Sequence, residues 1–103
     1  MILKTEYYRS EPLRRAVATL PCQSCGIEGR TQASHSNQSR DGKGKSIKAH
    51  DYRIAALCVE CHTEIDQGSR LSRDERIQMW EDAHRRTIGT LFEQGFLEVR
   101  SPL

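Results

Sequence analysis

The reading of the fold turns on Leu57-Cys58-Val59-Glu60-Cys61-His62-Thr63-Glu64-Ile65-Asp66. Cys58 and Cys61 are separated by two residues, the spacing at which one tight turn aims two thiolates at a single tetrahedral ion. An upstream stretch, Cys22-Gln23-Ser24-Cys25, repeats that spacing, and the two pairs account for all 4 cysteines of the chain. A thioredoxin-like redox site would use one pair at a helix start and leave the other unexplained. Cytosolic thiols stay reduced, which argues against two disulfides. One structural zinc ion held by Cys22, Cys25, Cys58 and Cys61 is therefore expected. Its closed shell of four thiolates leaves no position for substrate, so this metal would staple the fold. The staple matters: a chain of 103 residues buries a modest core, and zinc is worth ~10 kcal/mol or more in small metal-dependent folds.

The flanking sequence supplies the other elements. Residues 1 to 9 are polar and expected to be loosely held. Ser10-Glu11-Pro12 reads as a helix start, with Leu13, Ala16, Val17 and Leu20 at helical spacing until Pro21. Arg30 to Ser36 is a short strand carrying His35, and Tyr52 to Leu57 is a second strand leading into Cys58. Val59 to Gln67 follows as a helix ended by Gly68. Ser72-Arg73-Asp74-Glu75 is a capping box opening a long helix over residues 72 to 95. Ile77, Trp80, His84, Ile88 and Leu91 line one face of it, and Gly95 closes it.

Composition sets limits. The chain weighs 11.8 kDa with a mean hydropathy of -0.71, and 36% of its residues are apolar against 29% charged. This is one domain, residues 1-103, and no apolar run is long enough to span a membrane. The N-terminus lacks a signal-peptide pattern, so an intracellular location is expected. The net charge is only +2, but residues 30 to 53 hold Arg30, Arg40, Lys43, Lys45, Lys48 and Arg53 against Asp41 and Asp51. Positive charge is thus concentrated in a polar, glycine-containing loop suited to a phosphate chain. The glycines do not fit a nucleotide-phosphate loop, and no small-molecule cofactor is expected.

With zinc consuming Cys58 and Cys61, His62 is free, and Asp66 lies four residues on, on the same helical face. An imidazole and a carboxylate presented together form half a shell for a second divalent ion that keeps open positions. The simpler alternative is that His62 pads the knuckle and Asp66 is solvated. The two CxxC turns would be neighbours in the fold, so the elements carrying His35 and His62 are expected to approach one another with both imidazoles facing a common cavity, and the hydrolytic reading depends on that geometry. A histidine held near a bound metal could deprotonate water for attack on a phosphodiester.

This succession (CxxC, a strand histidine, a Gly/Lys loop, then Leu57-Cys58-x-x-Cys61-His62) resembles the zinc-knuckle branch of the HNH (ββα-metal, His-Me finger) endonucleases. Leu13-Arg14-Arg15, Ser34-His35, Gly42-Lys43-Gly44, Asp51 and Cys61-His62-x-x-Ile65-Asp66 are similar to the small YbcO-type nucleases of phages and prophages. The resemblance spans roughly residues 12 to 68. It implies a small α+β fold: a zinc-stapled ββα-metal core flanked by N-terminal and C-terminal helices. It further implies a DNA endonuclease in the cytoplasm of a bacterial host, leaving 5′-phosphate and 3′-hydroxyl ends. By this likeness His35 is the general base, and His62 and Asp66 hold a catalytic Mg2+ or Mn2+. Asp51 either orients His35 or coordinates that ion. Lys43, Lys45, Lys48 and Arg53 would contact the DNA backbone, and a homodimer would suit cutting of both strands. Where the family places an Asp or His before the base, this chain has Ser34. That departure favours an alternative, a non-catalytic zinc module that binds DNA or a recombination partner. A third possibility is a structural protein docking through an exposed Ile77/Trp80/Ile88 stripe.

Overall fold

A computed structural model describes residues 6–102. Ser10 caps α1 (Glu11–Ala18), its hydroxyl accepting from the Leu13 N–H at 3.2 Å, with Pro12 in the first turn. The helix is shorter than the apolar spacing through Leu20 suggests. Pro21 biases Leu20 toward extended backbone, and the Thr19 and Leu20 N–H groups bond back three residues, to Ala16 and Val17, at 3.1 Å.

β1 (Thr31–His35) and β2 (Ile54–Cys58) form an antiparallel pair in register from Thr31↔Cys58 to His35↔Ile54. All five residues of β2 are buried, and their alternation feeds two cores. Ala55 and Leu57 pack with Cys22, Ile65, Trp80 and Ala83, whereas Ile54 and Ala56 pack with Val17, Leu20 and Leu91. The free edge of β2 would present unpaired backbone groups to solvent. The long helix α3 (Arg73–Glu93) closes it from the side: Thr87 Oγ1 accepts the Ala56 N–H at 2.9 Å, and His84 Nδ1 donates to the Ile54 carbonyl at 2.7 Å. On the knuckle side, the Gln23 N–H takes the Ala56 carbonyl at 2.8 Å.

α2 (Val59–Gln67) starts at Cys58 and stops at Gly68, as the sequence suggests, although the stop works differently from the expected left-handed cap. Gly68 is extended, with φ -70° and ψ 155°. Glycine is needed there because a Cβ would stand 2.5 Å from the Glu64 carbonyl oxygen. α3 opens with the full Ser72/Glu75 capping box. It closes with Gly95 N–H bonded to Phe92 and Phe96 N–H to Leu91.

The result is a small α+β fold, a two-stranded sheet and three α-helices among the described residues. Its second strand, β2, passes directly into α2 through Cys58. None of the described helices is long and apolar enough to cross a membrane. Of the stretch 1–9 expected to be loose, residues 1–5 lie outside the described residues. Tyr8 and Arg9 are bonded to the 48–51 segment, with Arg9 Nη1 2.7 Å from the Ala49 carbonyl and Asp51 N–H 2.9 Å from the Tyr8 carbonyl.

Candidate metal centre and active site

The four cysteines converge. Their sulfurs all lie within 4.8 Å of one another, and Cys25 Sγ and Cys58 Sγ are 3.7 Å apart. A regular tetrahedron with Zn–S bonds of ~2.3 Å has an edge of ~3.8 Å, so the donor set fits zinc. The same separation is far too long for a disulfide of ~2.05 Å, and all four cysteines are free. Each turn aims backbone donors at its first sulfur: Ser24 and Cys25 N–H at Cys22 Sγ, and Cys61 N–H at Cys58 Sγ, all at 3.4 Å. Burial resists ionisation of Cys22, yet the surrounding donors bring its thiol down to about 6. Burial and the neighbouring sulfurs hold Cys61 well above the ordinary thiol range. Four adjacent thiolates need a dication among them, and this cluster could hold a structural zinc.

The second constellation centres on Asp51, which lies in the turn before β2 with its side chain 1% exposed. His35 Nε2 is 2.8 Å from Asp51 Oδ1. The other oxygen, Oδ2, accepts the Ser10 N–H at 2.7 Å and the Arg14 guanidinium. Arg9 stands 3.6 Å from Oδ1. Burial alone would raise this carboxyl; the His35, Ser10 and Arg14 bonds outweigh it and hold Asp51 below the ordinary carboxylate range. It is therefore ionised and accepts the Nε2 proton, which leaves His35 Nδ1 as a lone pair. Burial is the largest influence on His35 and pulls it below its ordinary 6.5, helped by Lys48 and Arg9 and opposed by Asp51.

The third constellation is on α2. His62 Nε2 lies 2.9 Å from Asp66 Oδ2, and His62 Nδ1 lies 2.9 Å from Gln32 Oε1 on β1. Asn37, just past β1, donates its side-chain amide to Asp66 Oδ1.

β1 and α2 do meet, through Gln32 and His62, but the expected common cavity for the two imidazoles is corrected by the alternation of strand side chains. Gln32 and Ser34 point to the α2 side of β1, where Gln32 meets His62. Ala33 and His35 point to the other side, where Ala33 packs on the Val17 core and His35 meets Asp51. The two imidazoles thus face opposite sides of β1, each with its own carboxylate. Among the described residues, only the cysteines gather three or more metal donors this closely. A period of two along Arg30 to Ser36 carried this information, and reading the strand at that resolution would have found it.

The basic loop is folded back on itself. It holds a 3-10 turn at Ser39–Asp41 and a bridge from Gly44 to Ile47. Gly42, at φ 93°, lies under the His50 ring, where a Cβ would come within 2.7 Å of Cδ2. Lys45 and Lys48 are exposed, Lys43 is half-buried, and Arg53 lies over the Tyr52 ring at 5.3 Å. Of the Ile77/Trp80/Ile88 stripe, Trp80 is core, 3% exposed and donating its indole N–H to the Ser34 carbonyl at 3.2 Å, Ile88 packs against the Val17 core, and Ile77 is half-buried. Gln32 and Asn37 carry no motif, and although Ser10 reads as a helix cap and Arg14 belongs to the resemblance, tertiary structure alone brings these four residues to the two pairs.

Comparison of the chain with protein-family models, with curated proteins and with solved structures finds no match.

Proposed function

We propose that this chain is a metal-dependent endonuclease that hydrolyses DNA phosphodiester bonds, with His35 as general base. The observation that carries the reading is the His35–Asp51 pair. A carboxylate already fixed by Arg14 and the Ser10 N–H holds the imidazole in one tautomer, and burial keeps that imidazole neutral. A neutral, oriented base with a free Nδ1 is what proton abstraction from water needs near neutral pH. The water proton passes to Nδ1, the hydroxide oxygen bonds to phosphorus, and the bond to the 3′-oxygen breaks. The ends are a 5′-phosphate and, after protonation, a 3′-hydroxyl.

His62 and Asp66 are the residues that would hold the divalent ion. Their facing atoms are 2.9 Å apart, close to the ~3.0 Å edge of an octahedral site with ~2.1 Å bonds. Mg2+ or Mn2+ bound there supplies Lewis-acid stabilisation of the phosphate charge. Because the two imidazoles face opposite sides of β1, this reading requires the phosphodiester to wrap the end of the strand, where Asn37, two residues past His35, reaches Asp66. Lys43, Lys45, Lys48 and Arg53 would position the DNA backbone.

A second reading, a zinc module that binds DNA without cutting it, is favoured by Ser34. The β1 residue facing the α2 side next to the base is a hydroxyl, leaving His62 and Asp66 as the strong donors of that site. Plasmid nicking with Mg2+ or Mn2+ separates the two readings. Nicking by the wild type that is lost in His35→Ala supports the nuclease; DNA binding without nicking, across metals and substrates, supports the module.

A further inference from the structure

The N-terminal half of α3 and residues 37–43 enclose a cleft of about 510 Å³. Its walls carry Arg40, Lys43, Arg73 and Arg76, and its apolar floor includes Ile77 and Trp80. Arg40 is ion-paired with Glu81 at 2.6 Å. The other three cations make no ion pair among the described residues: Lys43 reaches only the Gly44 carbonyl, and Arg76 only the Ile65 carbonyl at 3.4 Å. Arg76 Nε is moreover buried with no hydrogen-bond partner at all.

A buried guanidinium donor without an acceptor is costly, and three unpaired cations around one cavity repel each other. The repulsion falls when an anion with several acceptor oxygens enters, and the Nε donor gains an acceptor where the Arg76 side chain turns toward that anion. Guanidinium groups match a phosphate's paired oxygens, and an apolar floor suits the sugar and base attached to one. We propose that this cleft binds the phosphate of a nucleotide unit, with Arg73, Arg76 and Lys43 neutralising it and Trp80 beneath it. The choice of a nucleotide over another phosphate ester rests on the nuclease reading. The cleft itself adjoins that site, since Asn37 both lines it and bonds Asp66.

Trp80 is the single tryptophan of the chain, so its fluorescence reports on the cleft directly. The zinc-loaded protein is titrated, without added Mg2+ or Mn2+, with dTMP, with thymidine, and with an oligothymidylate lacking terminal phosphates. The expected result is a saturable change with dTMP, the oligomer or both, and none with thymidine. A response to dTMP alone identifies a terminal phosphate as the ligand; a response to the oligomer identifies an internal phosphodiester. Arg73→Glu places an acid in the first turn of α3, which the helix favours, and should weaken binding about tenfold or more. Arg76→Gln should do the same where it folds. Equal responses to dTMP and thymidine, no response to any probe, or unchanged binding by Arg73→Glu overturns the proposal. Because no cleavage is read, nucleotide binding by a protein that never nicks DNA keeps this site and removes only the nuclease reading.

Discussion

Asp51 and His35 meet at 2.8 Å at a point where three segments of chain converge. Asp51 precedes β2, His35 ends β1, and Ser10 and Arg14 bring the start of α1 onto the same carboxylate. The carboxylate is committed to a backbone N–H and a guanidinium as well as to the imidazole, so its position does not depend on His35. The imidazole, by contrast, depends on Asp51 for its tautomer. Such an arrangement orients the imidazole and at the same time anchors the start of α1. Removing the carboxyl would leave Arg14 facing a buried site without its counter-charge.

The pH dependence of His35 follows from its surroundings. Its pKa in the fold lies below the ordinary 6.5, so the unfolded chain takes the proton more readily. Its contribution to stability is intact above about pH 6.5 and declines as the pH falls toward the lowered value. Asp51, also lowered, adds a second loss only when the pH falls below the ordinary carboxylate range. NMR titration of the His35 ring should therefore give a midpoint below 6.5. The acid limb of any nicking activity should rise through that same midpoint. An imidazole titrating above 7 would contradict the burial argument and remove the case for a neutral base.

Metal removal tests the staple. The purified protein should carry one zinc per chain, and Cys58→Ser or Cys25→Ser should abolish stoichiometric binding. Cys58 is also the first cap of α2 and joins the core around Leu57 and Trp80. Loss of an ion worth ~10 kcal/mol or more exceeds the total stability of most domains of this size. Chelation should thus unfold the chain cooperatively in circular dichroism, and zinc should restore it. A chain that keeps its helical signal and melting temperature after complete zinc removal would show that the sulfurs are bystanders.

Much of this architecture was legible because local chemistry specified it. The paired cysteines, the Ser72/Glu75 box and the span of Val59–Gln67 each rest on residues within a few positions of one another. What escaped the sequence depends on residues that meet across the fold. Arg14 and Asp51 are 37 positions apart, and nothing in either neighbourhood announces the other. Arg73 and Arg76 carry no motif that points to the 37–43 segment with which they line one cleft. The separate facing of His35 and His62 is a different case, since strand alternation encoded it. The proximity of the two CxxC turns suggested a shared cavity, but a shared metal knuckle fixes where strands lie, not which way their side chains point.

Thr87 offers a test of how the sheet edge is protected. Its hydroxyl is fully buried, accepts the Ala56 N–H at 2.9 Å and donates to the Ala83 carbonyl at 2.7 Å. Thr87→Val keeps the shape and leaves the Ala56 N–H without an acceptor. The cost of such a stranded donor is about 1–3 kcal/mol, to be read from denaturant unfolding. Hydrogen exchange at the Ala56 amide should accelerate with it. A variant as stable as the wild type would mean that water replaces the hydroxyl and that α3 does not seal this edge.

Ser34 gives the opposite expectation from an equally buried hydroxyl. It is 0% exposed, its Oγ has no hydrogen-bond partner, and its backbone carbonyl, not its side chain, receives the Trp80 indole. Ser34→Ala removes an unsatisfied polar atom and creates a void no larger than one oxygen. Stability should stay level or rise by up to ~1 kcal/mol, and Trp80 fluorescence should be unchanged because the carbonyl stays in place. The same variant bears on chemistry. If His62 and Asp66 supply the protein's ligands to the ion, nicking with Mn2+ should persist at the wild-type metal concentration. A large fall in activity at unchanged stability would instead make the Ser34 hydroxyl part of the metal's surroundings, and the two-donor site on α2 would have to be redrawn.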